Sequence, residues 1–385
     1  MLVMIVISCS LDSSLERAKY QGTFSADMDR YRLFENFGGV VLLTQDTKSF
    51  ITDLNKIKHV PCAFSKFEII RKTLSQRKYV RWFYCSFSSF FWLLRNRGQV
   101  VCVITENVDS PSAFLFSLLS GVPFYIHYHY DVATQIFKVN KSYLEGILLL
   151  FLEKLCFKKA DCVWVTAANL ADKAKEFGAK KVTLLPNWVD FDTEVKKPVE
   201  ENDKSRGRIL FVGRLHPVKR VNLLLEAFAQ LRKINPEVCL SIVGDGDGRQ
   251  NLMALAKDLG LFDSVQFLGF QNHETVLDIM KQSDMIVLPS KMEGNPKVLI
   301  EAMMLRVPIV GTNVPGIRDI IRHGETGHLA SEASALNLAL SMDYVLRSTE
   351  YAHKIAENAY EFAKSQFSKK KALKRIREDL LVGQS

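Results

Sequence analysis

The chain has 385 residues, which at ~150 residues per domain points to two domains. Hydrophobic residues make up 48% and charged residues 24%, so each half can bury a core and global disorder is excluded. The net charge of +9 is uneven: residues 1–185 carry 24 Lys and Arg against 16 Asp and Glu, and residues 186–385 carry 27 against 26. A basic block, Lys369, Lys370, Lys371, Lys374, Arg375 and Arg377, lies at the C-terminal end. Nucleic acid, an anionic membrane surface or a solvated face with no partner would each explain this distribution.

In chain order, Met1 to Ile7 is the longest unbroken apolar run. It is far shorter than the ~20 residues that span a bilayer, so no transmembrane helix is expected. It lacks a basic leader and a small-residue cleavage site, so it reads as a first buried strand rather than a signal peptide. Seven cysteines, at 9, 62, 85, 102, 156, 162 and 239, form no CxxC pair. They suit buried thiols in a reducing cytosol, hence a cytoplasmic location. Arg77 to Arg97 interleaves basic and aromatic residues. It reads as a core helix with charged ends, or as an interfacial segment anchored by Trp82, Phe83, Phe87, Phe91 and Trp92.

Strand candidates fall at 1–8, 39–44, 99–104, 122–128, 161–166, 208–213, 238–243, 264–268, 285–289 and 307–311. Several are apolar on successive residues, as parallel strands covered on both faces require. Helical stretches alternate with them, which predicts doubly wound α/β sheets. The polar stretch Lys196 to Arg208 reads as a linker, and a fresh βαβ series starts at Ile209. Expected domains are 1–195, completed by a C-terminal helix over 365–385, and 205–364. Ligands of such sheets bind at the strand ends, in a cleft that the two domains would face.

In the strand-turn-helix Arg208 to Pro236, Val221, Leu224, Leu225, Phe228 and Leu231 recur as one apolar helical face. Pro217 suits a first helical position and Gly213 a tight turn. Arg214 and Lys219 then flank a helix start, where dipole and free N–H groups favour an anion such as a diphosphate. Two solvated basic residues are the alternative. Further on, Asn295 and Pro296 read as N-cap and first helical residue, with Glu293 ahead of the helix and Glu301 inside it. Gly294 keeps that loop open. The two carboxylates could accept hydrogen bonds from sugar hydroxyls, or be a surface Glu and a Lys297–Glu301 helix pair.

The ordered set VGRLHPVKR, IVGDGDGRQNL, VQFLGF, SDMIVLPSKMEGNPKVLIEAM and VPIVGTNVPGIRDIIRHGETGHL resembles the family 4 glycosyltransferases of the GT-B fold, and Glu293-x7-Glu301 resembles their EX7E motif. LLPNWVDFD resembles their segment ahead of the linker, with Trp188 in place of the usual Gly. The resemblance implies a retaining transferase with two Rossmann-like domains and a nucleotide-sugar donor, UDP- or GDP-hexose. Arg214 and Lys219 would hold the donor diphosphate, bordered by Gly213, Gly244 and Gly246. Glu301 would hold the ribose, Glu293 and the backbone of Gly294, Asn295, Pro296, Lys297 and Val298 the donor sugar, and Phe270 the base. His129 would be the functional His of the N-terminal domain, with Asp131 on the acceptor side. The loop after the first strand, SCSLDSSLERAKYQG, departs from the family's Gly-Gly pattern.

The resemblance implies a glycan or lipid-linked acceptor. Base stacking on nucleic acid is the least favoured reading beside a nucleotide-sugar site. Asp245-Gly246-Asp247, Asp27-Met28-Asp29 and Asp190-Phe191-Asp192 all fit a DxD metal pattern, and three hits show how little it discriminates. No essential metal and no cofactor is expected, because Arg214 and Lys219 already supply positive charge. A GT-B epimerase and a catalytically silent sugar-nucleotide-binding subunit remain the alternative readings.

Overall fold

The computed structural model describes residues 4–8, 39–44, 57–61, 89–106, 111–129, 131, 143–190, 207–331 and 334–382. The chain divides into two compact units, Met1–Leu185 with Leu373–Ser385, and Pro186–Ala372. The division at 185/186 lies ahead of the polar stretch expected to be the linker, whose residues up to 206 are outside the described ones.

The first unit holds a seven-stranded sheet in the order β3-β2-β1-β4-β5-β6-β7. Its strands are β1 (Met4–Ser8), β2 (Gly39–Thr44), β3 (Ile57–Pro61), β4 (Val100–Glu106), β5 (Phe124–Tyr128), β6 (Cys162–Val165) and β7 (Val182–Leu184). All neighbours are parallel, with Ile7 opposite both Leu42 and Ile104. Helices α1 (Pro111–Ser120), α2 (Tyr143–Lys159) and α3 (Ala168–Glu176) connect β4 to β7 in turn. Phe116, Phe124 and Phe157 are fully buried in this unit. Trp164 stacks on Tyr125 at 5.1 Å, and its Nε1 donates to Asp379 at 2.7 Å. Asp379 also pairs with Lys181 at 2.6 Å, which fastens the C-terminal helix to the sheet that the chain built first.

The second unit holds a six-stranded sheet in the order β10-β9-β8-β11-β12-β13. Its strands are β8 (Arg208–Val212), β9 (Cys239–Val243), β10 (Val265–Gly269), β11 (Met285–Leu288), β12 (Ile309–Thr312) and β13 (His328–Ala330). The helices are α4 (Val221–Ile234), α5 (Arg249–Asp258), α6 (His273–Lys281), α7 (Lys297–Met304), α8 (Ala335–Arg347), α9 (Thr349–Gln366) and α10 (Lys369–Val382), the last running on into the first unit. The apolar face read from the sequence is the buried face of α4: Leu224, Leu225, Phe228 and Leu231 have no exposure.

Both sheets reverse direction once. The chain runs β8, β9, β10 to one side and then returns to lay β11 on the other side of β8. The loops after β8 and β11 are therefore neighbours, and in open α/β sheets that switch point is where ligands bind. The three short strands absent from the sequence reading, β3, β7 and β13, all sit at sheet edges. An edge strand has a neighbour on one side only, so it need not carry the continuous apolar run that marks a central strand.

Candidate active site

The loop after β8 begins at Gly213, whose N–H donates to Val243 O at 3.0 Å. The loop after β9 is pressed against it. A Cβ on Gly244, which has φ +130°, would lie 2.0 Å from Gly213 O, so only glycine fits. Gly246 and Gly248 rest on the Leu215 carbonyl, and Leu215 N–H donates to Asp245 O at 2.9 Å. The glycines of GDGDG thus serve loop-on-loop packing. Asp245 of the DxD pattern caps its own turn, its Oδ1 accepting from Gly246 N–H at 2.8 Å.

Pro217 does not start the long helix. It opens a one-turn 3-10 helix, Pro217–Lys219, because His216 Nδ1 accepts from Val218 N–H. Arg220 then takes a left-handed conformation with φ 49°, and α4 starts at Val221. This kink turns Lys219 toward the loop after β11, which is tied down by Lys291 N–H donating to Val218 O at 2.8 Å. Lys219 Nζ lies 2.6 Å from Glu293 Oε1, with side-chain exposures of 25% and 9%. Ser290 Oγ donates to the same oxygen at 2.5 Å. Gly316 is packed on the Glu293 carbonyl, 2.3 Å from where a Cβ would sit, and has φ +83°. Arg214 is exposed on the same β8 loop, and Phe270 is 52% exposed just after β10.

Asn295 is not the N-cap of α7; that position is Pro296, with no side-chain cap. Asn295 is buried and turned the other way. Its Oδ1 accepts from Asn187 N–H at 2.7 Å, and its carbonyl accepts from the Asn187 amide. The LLPNWVD segment therefore holds the 293–296 loop in place. One turn into α7, buried Glu301 accepts from His273 Nε2 at 2.9 Å and lies 3.8 Å from Lys297 Nζ. His273 is the first residue of α6, which Asn272 caps by accepting from Thr275 N–H. Sequence reading missed His273, Ser290 and the role of Asn187. The Asn272 cap was visible as a helix-start signal, but nothing in spacing places residue 273 beside residue 301.

The second unit thus brings together Gly213, Lys219, Gly244, Glu293, Gly294, Asn295, Pro296, Lys297, Val298 and Glu301 around the ends of β8, β9 and β11. His129 and Asp131 belong to the first unit. His129 Nε2 lies 3.8 Å from Glu106 Oε1, and its ring is 3.9 Å from that of His127, on the same side as their alternation predicts. Asp131 is engaged with Lys173 at 2.6 Å. The same ammonium contacts Glu153 Oε2 at 2.6 Å and Tyr128 OH at 3.2 Å. Burial pushes the Glu153 carboxyl up, and Lys173 opposes that shift.

Of the expected interfacial segment, Trp82, Phe83 and Phe87 are outside the described residues. Phe91 is 53% exposed, but Trp92 packs partly buried against the core and is not an outward anchor. Asp190 pairs with Lys369 at 3.4 Å, which accounts for part of another DxD pattern and of the basic tail. Of the seven cysteines, Cys102, Cys156 and Cys162 are buried thiols, whereas Cys239 is exposed.

Two doubly wound parallel sheets, with the site loops at the switch point of one of them, make this a GT-B fold. The sucrose-phosphate synthase of Thermosynechococcus elongatus superposes with a TM-score of 0.79 at 19% identity, covering 98% of each chain. The Anabaena HepE structure in complex with UDP and glucose gives 0.72 at 18% identity, covering 99% of this chain and 100% of that one. Residues 192–362 match the family model described as Glycosyl transferases group 1. The alpha-D-kanosaminyltransferase of Streptomyces kanamyceticus is 27% identical over 304 residues, 73% of this chain and 78% of that protein. The N-acetyl-alpha-D-glucosaminyl L-malate synthase of Bacillus anthracis is 29% identical over 222 residues, 56% of this chain and 58% of that protein. The protein is a glycosyltransferase carrying a group 1 domain.

Proposed function

We propose that the protein is a family 4 enzyme that moves a hexosyl group, with retention, from a UDP- or GDP-linked donor to a hydroxyl of a glycan or lipid-linked acceptor. The observation that carries this reading is the Lys219–Glu293 pair, 2.6 Å apart on the adjoining loops after β8 and β11, with buried Glu301 one turn into the next helix. A cation at that point, together with Arg214, would neutralise the charge that develops on the departing diphosphate. Glu301 would accept from the ribose hydroxyls, Phe270 would border the base, and Glu293 with the backbone of residues 294–298 would orient the hexose. The acceptor oxygen attacks the anomeric carbon on the face that the diphosphate leaves, and the leaving phosphate oxygen takes its proton. Both carboxylates are already engaged, Glu293 by the Lys219 ammonium and Glu301 by the His273 ring and the Lys297 ammonium, which supports a path without a protein nucleophile. His129 and Asp131 would serve the acceptor side. Domain limits of 1–195 with 365–385, and 205–364, and a cytoplasmic location belong to the same reading. So does an anionic membrane surface as a partner, supported by the basic excess of residues 1–185. No metal is assigned a role.

The test is a thermal-shift series with UDP-, GDP- and ADP-sugars, followed by turnover of the stabilising donor and assignment of the product's anomeric configuration by NMR. A bound donor raises the melting temperature by mass action. Stabilisation by a UDP- or GDP-hexose and an axial-for-axial outcome support the reading. Inversion refutes the retaining mechanism, whereas stabilisation without turnover of any acceptor refutes the transferase reading and favours the binding subunit.

A further inference from the structure

Helix α2 is apolar on both of its long sides. Leu149, Cys156 and Phe157 are buried, whereas Ile147, Leu148 and Phe151 are 48%, 59% and 60% exposed. Helix α1 repeats the pattern: Phe116 is fully buried, and Leu115, Leu118 and Leu119 are 42%, 55% and 65% exposed. The two helices lie against each other. Connections from β4 to β5 and from β5 to β6 step the same way across the sheet, so right-handed crossovers place both helices on one face. A helix that is apolar all round is ordinarily covered all round. Here the sheet covers only the inner side, and a contiguous apolar surface of this kind marks an interaction site.

The charges on this face select the partner. Positions 147, 148, 151, 154 and 158 fall on one helical stripe, and Lys154 and Lys158 are its exposed C-terminal end. No exposed position among the described side chains of α1 and α2 carries a carboxylate. Glu153, which does lie on α2, is buried against Lys173.

We propose that the α1–α2 face is the surface on which this protein docks to an anionic bilayer. The inference rests on the membrane-partner reading and assigns it a surface. Leucine, isoleucine and phenylalanine side chains would enter the boundary between headgroups and acyl chains, while Lys154 and Lys158 meet lipid phosphates. Among the described side chains of these helices, a second copy of this chain would bring the same lysines and no exposed carboxylate to the contact, so an isologous dimer would leave their charge unmatched.

The experiment is co-sedimentation of the full chain with vesicles of phosphatidylcholine, or of equimolar phosphatidylcholine and phosphatidylglycerol. The wild type should pellet with the anionic vesicles at low salt and not with the neutral ones. Leu148→Glu/Phe151→Glu should lower the partition coefficient on the order of tenfold or more, with an unchanged melting temperature because both side chains are exposed. Lys154→Glu/Lys158→Glu should weaken binding and flatten its salt dependence. Lys370→Glu/Lys374→Glu, in α10, should bind as the wild type does. Equal binding by Leu148→Glu/Phe151→Glu overturns the assignment of this face but leaves membrane binding intact. A wild type that binds neither vesicle overturns both. A dimer in light scattering that the same double variant splits makes the occupant a second copy, and overturns the bilayer. Turnover of a soluble donor should be equal in all these proteins, so their failure to bind lipid is separable from a failure of the glycosyltransferase mechanism.

Discussion

The Lys219–Glu293 pair makes the most demanding prediction. At 2.6 Å and an effective dielectric of about 20, the gross attraction is about 6 kcal/mol. Desolvation of a carboxylate that is only 9% exposed offsets most of it, leaving a net coupling of about 1.5–3 kcal/mol for a charge-assisted hydrogen bond. A double-mutant cycle on Lys219→Met and Glu293→Gln, read by denaturant unfolding, should return a coupling in that range. The kinetic consequences differ between the partners. Lys219→Met removes the cation from the departing diphosphate, so kcat/KM should fall about a hundredfold, which is about 2.7 kcal/mol of transition-state stabilisation. UDP or GDP affinity should fall with it. Glu293→Gln instead releases Lys219 from its competitor, so free nucleotide should bind as tightly as to the wild type or more so, while turnover drops because the hexose loses an acceptor. Calorimetric titration of the nucleotide and initial rates on the same samples check both. If Lys219→Met turns over at the wild-type rate, or if Glu293→Gln loses nucleotide affinity together with turnover, the division of roles is wrong.

Glu301→Ala should weaken nucleotide binding by about 1.5–3 kcal/mol, because a ribose hydroxyl loses a charged acceptor; unchanged calorimetric affinity would remove Glu301 from the site. Glu153→Ala should destabilise the first unit by about 1–3 kcal/mol in denaturant melts, since the part-buried Lys173 ammonium loses its fully buried carboxylate partner and keeps only the Asp131 carboxylate; a loss under half a kilocalorie per mole, roughly that of an exposed pair, would refute this. Burial, with His323 beside it, lowers His328 from 6.5 to about 4. Protonation of His328 therefore favours the unfolded chain, so its contribution is intact above pH 6.5 and is lost as pH falls toward 4. Thermal melts should lose more stability over that window in the wild type than in His328→Gln, and equal losses would contradict it.

Much of the second unit is legible in the sequence because its cues are local. The α4 face is written in the spacing of Val221, Leu224, Leu225, Phe228 and Leu231, and all five are buried. Central strands such as ILFV and MIVL announce themselves by unbroken apolar runs, which only a strand covered on both faces tolerates. That Lys219 and Glu293 meet was decided by the tertiary structure, because it needs β11 to return to the open side of β8, and crossover handedness sets the face of a helix but not the order of the strands. Local rules failed where a distant group competes for the same backbone. Asn295 carries an N-cap side chain, yet Asn187, more than a hundred residues earlier, takes its oxygen and leaves α7 to begin at Pro296 without a cap. Pro217 suits a helix start, yet the His216 ring and a left-handed Arg220 spend that turn on aiming Lys219. His273 reaches Glu301, and Asp379 reaches Trp164, only through packing, because no spacing rule relates residues 28 or 215 positions apart. Composition determined that the first half is basic and apolar. That α1 and α2 turn six large apolar side chains outward was decided by the tertiary structure, since both helices carry large apolar side chains on opposite sides and the sheet covers one side only.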